Sequence, residues 1–153
     1  MEGMTTHPAS PRTHSTLYLY MTRSHAYLRD LLRRVLEAMA ANARDDVREL
    51  WNTLDHGLLA HMEAEERYVL PVFAHVDQDE ARALLREHGL LRDQLLRLGV
   101  AVDLHYVRYE ESREFAQLLE RHAGREENLL YRWADENLGA TTVERVKLHV
   151  AAP

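Results

Sequence analysis

The sequence predicts an all-α protein, an antiparallel up-down-up-down four-helix bundle with a short C-terminal helical tail. Apolar residues recur at spacings of three and four along most of the chain, and no useful stretch alternates with period two. Breaks near residues 43, 77 and 106 divide the chain into four amphipathic segments of about 25 to 30 residues, the length and connectivity of a simple bundle. An extended coiled coil would not need three such breaks. At 153 residues and 46% hydrophobic composition, one domain with one core is expected.

Residues 1–14 hold Pro8 and Pro11 among Thr, Ser and His, and read as a flexible arm before a bundle over 15–138 and a tail over 139–153. Ser15 or Thr16 is placed to cap the first helix, which carries Leu17, Met21, Leu28, Leu32, Val35 and Met39 on one face. The second starts near Asp45, carries Val47, Leu50, Leu54, Leu58, Tyr68 and Val72, and is kinked or ended by Pro71. Asp77 or Asp79 opens the third, with Ala81, Leu84, Leu91, Leu95, Leu98 and Val102. The fourth carries Phe115, Leu119, Leu129 and Trp133 and stops before Gly139, and the segment around Val143–Val150 is a short amphipathic helix packed outside.

Composition excludes several functions. A net charge of −6, with 25 acidic against 19 basic residues, argues against nonspecific binding to nucleic acid or an anionic membrane. Without cysteine there are no disulfides, thiolate metal sites or cysteine nucleophiles, so a metal must be held by His, carboxylate, Tyr or water. No segment has the length of a membrane span, and the start lacks the apolar region of a secretory signal, which gives a cytoplasmic expectation. Ten histidines in such a chain raise the question of where they fall.

Four of them interrupt the core stripes. His25 follows Leu17 and Met21, and His88 follows Leu84, each where an apolar residue is due. The second and fourth stripes are interrupted by His61 with Glu65 and by His122 with Glu126, pairs at i, i+4 that a helix sets one above the other. A lone histidine on an apolar face is usually a satisfied core residue. Two buried carboxylates and four imidazoles on four helices instead require a shared partner, because an unpaired buried carboxylate costs several kcal/mol or becomes protonated. Counted from the three turns at about 1.5 Å per residue, the six lie within roughly one helical turn of a common height.

The layer is built twice. His-Ala-Tyr-Leu-Arg-Asp-Leu-Leu from His25 matches His-Gly-Leu-Leu-Arg-Asp-Gln-Leu from His88, 63 residues later, and the segment around His61 echoes that around His122 at an offset of 61. Two helical hairpins related by a pseudo-twofold axis would each supply a His and a His-x-x-x-Glu. Four imidazoles and two carboxylates suit a pair of first-row transition ions, two His to each, with the Glu pair bridging or capping. A single Zn would leave ligands unexplained, and Mg or Ca would prefer more oxygen. Two irons fit best, with Fe/Mn or Zn as the other possibilities, and the remaining positive charge leaves room for an oxo or hydroxo bridge.

These motifs resemble the hemerythrin-like, or HHE cation-binding, family over roughly residues 15–136: His25, His61-x-x-x-Glu65-Glu66 before Val69-Leu70-Pro71, His88, and His122-x-x-x-Glu126-Glu127 before Leu129-Leu130-Tyr131. The resemblance implies a four-helix bundle with a non-haem di-iron centre and carries the ligand role to His25, His61, Glu65, His88, His122 and Glu126. It also implies dioxygen, nitric oxide or peroxide as ligand or substrate, or a role in handling or sensing iron. Oxygen carriers of the family have a His-x-x-x-His pair on the third helix, whereas His88 has Leu84 before it and Arg92 after it, and their last His-to-carboxylate spacing is wider. A redox, iron-handling or sensing variant is therefore favoured over a reversible carrier, with water, a Tyr or an extra carboxylate in place of the fifth histidine. Two alternatives stand beside it: an oxidoreductase reducing peroxide or dioxygen, and a metal- or redox-responsive interaction module, either one a monomer or homodimer.

The remaining candidates receive structural readings. His56 points off its stripe, His105 extends the third stripe and is expected to pack at the bundle end, and His7, His14, His75 and His149 are expected in solvent. Glu66 and Glu127 read as surface or salt-bridged carboxylates, orientation of an imidazole being the lesser reading. Tyr18, Tyr27, Tyr68 and Tyr131 lie at the core edge within possible reach of the layer, and the arginines read as solvated helix surface.

Overall fold

The computed structural model describes residues 16–151, all of whose regular structure is helical; the arm expected over 1–14, with His7 and His14, lies outside the described residues. The helices are α1 (Leu17–Ala40), α2 (Arg44–Tyr68), the short α3 (Leu70–Phe73), α4 (Gln78–Asp103), α5 (Tyr109–Arg125), α6 (Tyr131–Asn137) and α7 (Ala140–Val150), with a π-helical turn, Glu126–Leu130, joining α5 to α6. Contacts link α1 to α2, α2 to α4, α4 to α5 and α5 back to α1, so each of the four long helices packs against two others. Among the described residues no helix is long and apolar enough to cross a membrane.

Local chemistry sets the helix ends. Thr16 caps α1 by accepting from the Leu19 N–H at 3.2 Å, and Asp77 caps α4 by accepting from the Glu80 N–H at 2.9 Å. The second helix starts on Ala43, which makes no side-chain cap. Asp45, expected as its cap, instead lies with Asp46 in the first turn, where negative charge favours the helix N-terminus. The two long-helix exits repeat one device. Asn42 (φ 59°) and His105 (φ 54°) adopt the left-handed conformation, while Ala43 donates to the Ala38 carbonyl at 3.0 Å and Tyr106 to the Ala101 carbonyl at 2.8 Å. Both are Schellman terminations, and they stand 63 residues apart like the sequence repeat. His105 is consequently exposed rather than packed at the bundle end, because a left-handed residue leaves the helical stripe.

Two further departures share a cause. Past Glu65, α2 ends at Tyr68, and the buried residues are Val69, Leu70 and Phe73, while Val72, expected on the core face, is 45% exposed. Past Glu126, the backbone N–H of Tyr131 bonds to the Glu126 carbonyl five residues back, which inserts one extra residue into the turn. Leu130, Tyr131 and Ala134 therefore turn inward, and Leu129, expected inside, is 43% exposed. An α-helical stripe extrapolated through either break lands one residue off.

The core consists of two apolar clusters. One gathers Leu28 to Ala38, Val47 to Met62, Leu91 to Val102, and Phe115 with Leu119, and the other gathers Leu17, Met21, Ala64, Val69, Leu70, Phe73, Ala81, Leu84, Leu130, Tyr131, Ala134 and Val146. On each long helix the predicted His and Glu positions fall where one cluster gives way to the other. The last helix, α7, lies on α2 with Val146 buried, and the Tyr20 hydroxyl donates to the Lys147 carbonyl at 3.1 Å.

The π turn makes a testable statement about register. Deleting the exposed Asn128 lets Tyr131 follow Glu126 at α-helical spacing, still on the same face, whereas deleting the exposed Gln117 turns the rest of the helix by about 100°. Thermal unfolding should show a loss of a few degrees at most for the first deletion and a large loss for the second. Equal losses would mean that the turn is not an inserted residue.

Candidate metal centre

All six predicted residues meet between the two apolar clusters. His25, His61, His88 and His122 are at most 2% exposed, and Glu65 and Glu126 are wholly buried. One group, His25, His61, Glu65 and Glu126, offers ligand atoms all within 4.8 Å of one another, and a second, Glu65, His88, His122 and Glu126, does the same. The carboxylates are common to both. Glu65 turns Oε1 to His61 Nε2 and Oε2 to His88 Nε2, each at 3.2 Å. Glu126 turns Oε2 to His25 Nε2 at 3.2 Å, and Oε1 to His88 Nε2 at 3.2 Å and His122 Nε2 at 2.8 Å. Each glutamate thus presents one oxygen to each half.

The imidazoles are held from behind through Nδ1. His25 bonds Glu127 at 2.8 Å, His88 bonds Glu66 at 2.8 Å, His122 bonds Glu87 at 2.7 Å, and His61 bonds the Ser24 hydroxyl at 2.8 Å. A carboxylate can only accept, so three of these rings carry hydrogen on Nδ1 and direct Nε2 at the centre. Arginines brace the carboxylates. Arg92 grips both oxygens of Glu66 at 2.7 and 3.0 Å, Arg125 joins Glu87 to Glu80, and Arg29 reaches Glu127 and Glu120. Glu66 and Glu127, read from sequence as surface or salt-bridged, are therefore imidazole partners as well. Ser24 and Glu87 were not singled out, and Arg29, Arg92 and Arg125, read with the other arginines as solvated helix surface, instead brace the carboxylates behind the imidazoles. The repeat contained a signal for two of the arginines, since Arg29 and Arg92 each follow a core histidine by four residues.

A seventh residue enters the layer from the π turn. The hydroxyl of Tyr131 lies 3.1 Å from both His25 Nε2 and His61 Nε2, 3.0 Å from Glu126 Oε2, and in hydrogen-bonding contact with Glu65 Oε1. Of the four tyrosines considered, this one alone reaches the six. Tyr27 is exposed, Tyr18 lies beneath the Arg132 guanidinium, and Tyr68 stands edge-on to His149. His56 and His75 are exposed, and His149 pairs at the surface with Glu63 at 3.3 Å.

Charge in the layer is mutually supported. Burial disfavours charge on His88, but its bonds to Glu126, Glu65 and Glu66 prevail and its pKa is pushed up to about 11. His25 and His122 are likewise raised against burial, by Glu126 foremost. Glu126 is held well below the ordinary carboxylate range by His122, His25 and His88, and Glu65 is lowered by His61 and His88 despite burial and the Glu126 charge. Burial and the two carboxylates push the Tyr131 hydroxyl well above its ordinary value of 10, so it stays protonated.

These donors fit metal. Glu65 Oε2 and His122 Nε2 are buried without a well-aligned hydrogen bond, held only by ion-pair contacts to His88 Nε2 at 3.2 Å and Glu126 Oε1 at 2.8 Å, and a cation beside them would give each a directed partner. Imidazole and carboxylate donors are a ligand set suited to borderline divalent ions.

The brace on His88 has a pH signature in the metal-free protein. Burial opposes the Glu66 charge, but His88 and Arg92 outweigh it and lower its pKa from 4.5 to about 2. A depressed folded-state pKa gives stability that is complete above about 4.5 and lost as pH falls through about 2. The stability gap between wild type and Glu66→Gln, from urea unfolding, should therefore be constant near neutrality and shrink through that window. A gap independent of pH would show that the carboxylate charge contributes nothing.

The family model of the hemerythrin HHE cation-binding domain matches residues 16–135. No curated protein and no solved structure matches the chain. The matched span includes both hairpins, all six residues of the central layer, and Tyr131. With the family's helical architecture and its buried His and Glu donors both in place, the chain belongs to the hemerythrin HHE cation-binding domain family.

Proposed function

We propose that this chain is a non-haem di-iron protein, an antiparallel up-down-up-down four-helix bundle in which His25 and His61 hold one ion and His88 and His122 the other. Glu65 and Glu126 bridge them. The observation that supports this reading is the division of each buried carboxylate, one oxygen toward each histidine pair. A mononuclear site has no use for that division.

Two irons held here would supply one-electron redox chemistry and open positions for dioxygen, nitric oxide or peroxide. The protein's own residues set the conditions. The two apolar clusters on either side of the layer keep bulk water out, the Glu partners fix the tautomers of His25, His88 and His122, and Ser24 holds the orientation of His61. The proposed role is to bind or react with such a small molecule, or to handle or sense iron, in the cytoplasm. A five-histidine oxygen carrier is disfavoured by the third helix, where Leu84 belongs to an apolar cluster and Arg92 clamps Glu66.

Protein purified from iron-supplemented cells should contain close to two irons per chain, measured by elemental analysis, with a visible absorption band. Less than half a metal per chain in fresh protein would end this reading. His61→Ala should lower metal content and melting temperature together, since metal binding to a folded site contributes to folding stability. A melting temperature unaffected by chelation of the wild type would contradict the coupling.

A further inference from the structure

The pseudo-twofold relation between the hairpins extends well beyond the proposed ligands. His25 and His88, Arg29 and Arg92, and the turn residues Asn42 and His105 correspond at 63 residues, while His61 and His122, Glu65 and Glu126, and Glu66 and Glu127 correspond at 61. Two of the pairs at which this correspondence fails lie against the central residues. Ser24, behind His61, stands where the other half has Glu87 behind His122. Leu70 stands where the other half of the sequence has Tyr131.

Both failures bear on the same half. The Tyr131 hydroxyl lies among the four donor atoms His25 Nε2, His61 Nε2, Glu65 Oε1 and Glu126 Oε2, the place where an ion bound by those atoms would lie. The hydroxyl has one hydrogen to donate, which Glu65 Oε1 or Glu126 Oε2 accepts, and its oxygen occupies the space among all four atoms. In the opposite half, Glu65 Oε2 and His122 Nε2 are buried without a well-aligned hydrogen bond, each meeting only another candidate ligand, His88 Nε2 at 3.2 Å and Glu126 Oε1 at 2.8 Å, and no tyrosine hydroxyl stands among them. That half also has a carboxylate behind both imidazoles, which makes them stronger donors than an imidazole backed by a neutral hydroxyl.

We propose that the halves fill in order: the His88/His122 half takes the first divalent ion, and the Tyr131 hydroxyl closes the His25/His61 half against the second. Entry of the second ion requires that hydroxyl to leave the space among the four atoms and break the hydrogen bond it donates. Tyr131 is in this sense a positioning residue that separates a one-metal from a two-metal form, and the inference rests on the dinuclear reading above.

Zinc(II) titrated into metal-free protein against a chromophoric chelator, with native mass spectrometry counting bound ions, tests this directly. The wild type should show two steps separated by more than the statistical factor for identical sites, with a one-zinc species accumulating between them. Glu87→Gln should weaken the first step by about 10- to 100-fold, the range for loss of a ligand's hydrogen-bond partner, and leave the second little changed. Tyr131→Phe should tighten the second step by about tenfold or more, on the same scale, and diminish the one-zinc species. If Tyr131→Phe does not fold by circular dichroism, Ser24→Glu carries the test, because a carboxylate behind His61 should likewise tighten the second step. Uptake of two ions without a one-zinc species overturns the order, as does an unchanged gap in the folded Tyr131→Phe protein. A folded wild type that takes up no zinc or iron overturns the dinuclear reading itself, which distinguishes the two failures.

Discussion

Glu65 and Glu126 are wholly buried carboxylates in the middle of an apolar bundle, and the surrounding structure answers the cost of placing them there. Imidazoles surround them, and the charges stabilise one another: His25, His88 and His122 are raised and the glutamates lowered. The balance still leaves Glu65 Oε2 and His122 Nε2 in ion-pair contacts without a well-aligned hydrogen bond. A bound metal cation would supply those two atoms with the directed partner they lack.

Position within the layer depends on more distant groups. Free imidazoles rotate, and a ligand set is useful only if the rings are held. Glu127, Glu66 and Glu87 hold three of them, and Arg29, Arg92 and Arg125 hold those carboxylates at the edge of the solvent. Arginine suits this role: a planar guanidinium grips both oxygens of a carboxylate, as Arg92 does with Glu66, where a lysine would offer a single point of charge. The same extended network explains why the two hairpins kept their repeat as far as His25 and Arg29, or His88 and Arg92.

The repeat is informative where it breaks. An approximately symmetric bundle would give two equal half-sites, and two substitutions across the axis, Ser24 for Glu87 and Leu70 for Tyr131, are enough to make them unequal. The π turn is the backbone counterpart. By adding one residue after Glu126, it brings Tyr131 onto the face that already carries the carboxylate, five positions away instead of four. Its symmetry mate is the break between α2 and α3 at Val69, before Pro71, where no tyrosine follows.

The all-helical class, the long-helix positions and the six central residues were legible in the sequence because each depends on local periodicity: a charged residue in an apolar stripe is visible at a spacing of three or four. His105 and Leu129 were misplaced because a left-handed cap and a π turn end that periodicity without a residue type that announces them. Ser24, Glu87 and the bracing arginines were hidden for a different reason. At the margins of helix faces they look like any solvated polar residue, and only the neighbouring helix makes them partners of an imidazole. The sequence by itself therefore determined which groups must share the interior, since burial of charge is written in its stripes. The tertiary structure alone decided how each oxygen and ring nitrogen is aimed, and that Tyr131 distinguishes one half from the other, because those depend on distances between helices that no single helix encodes.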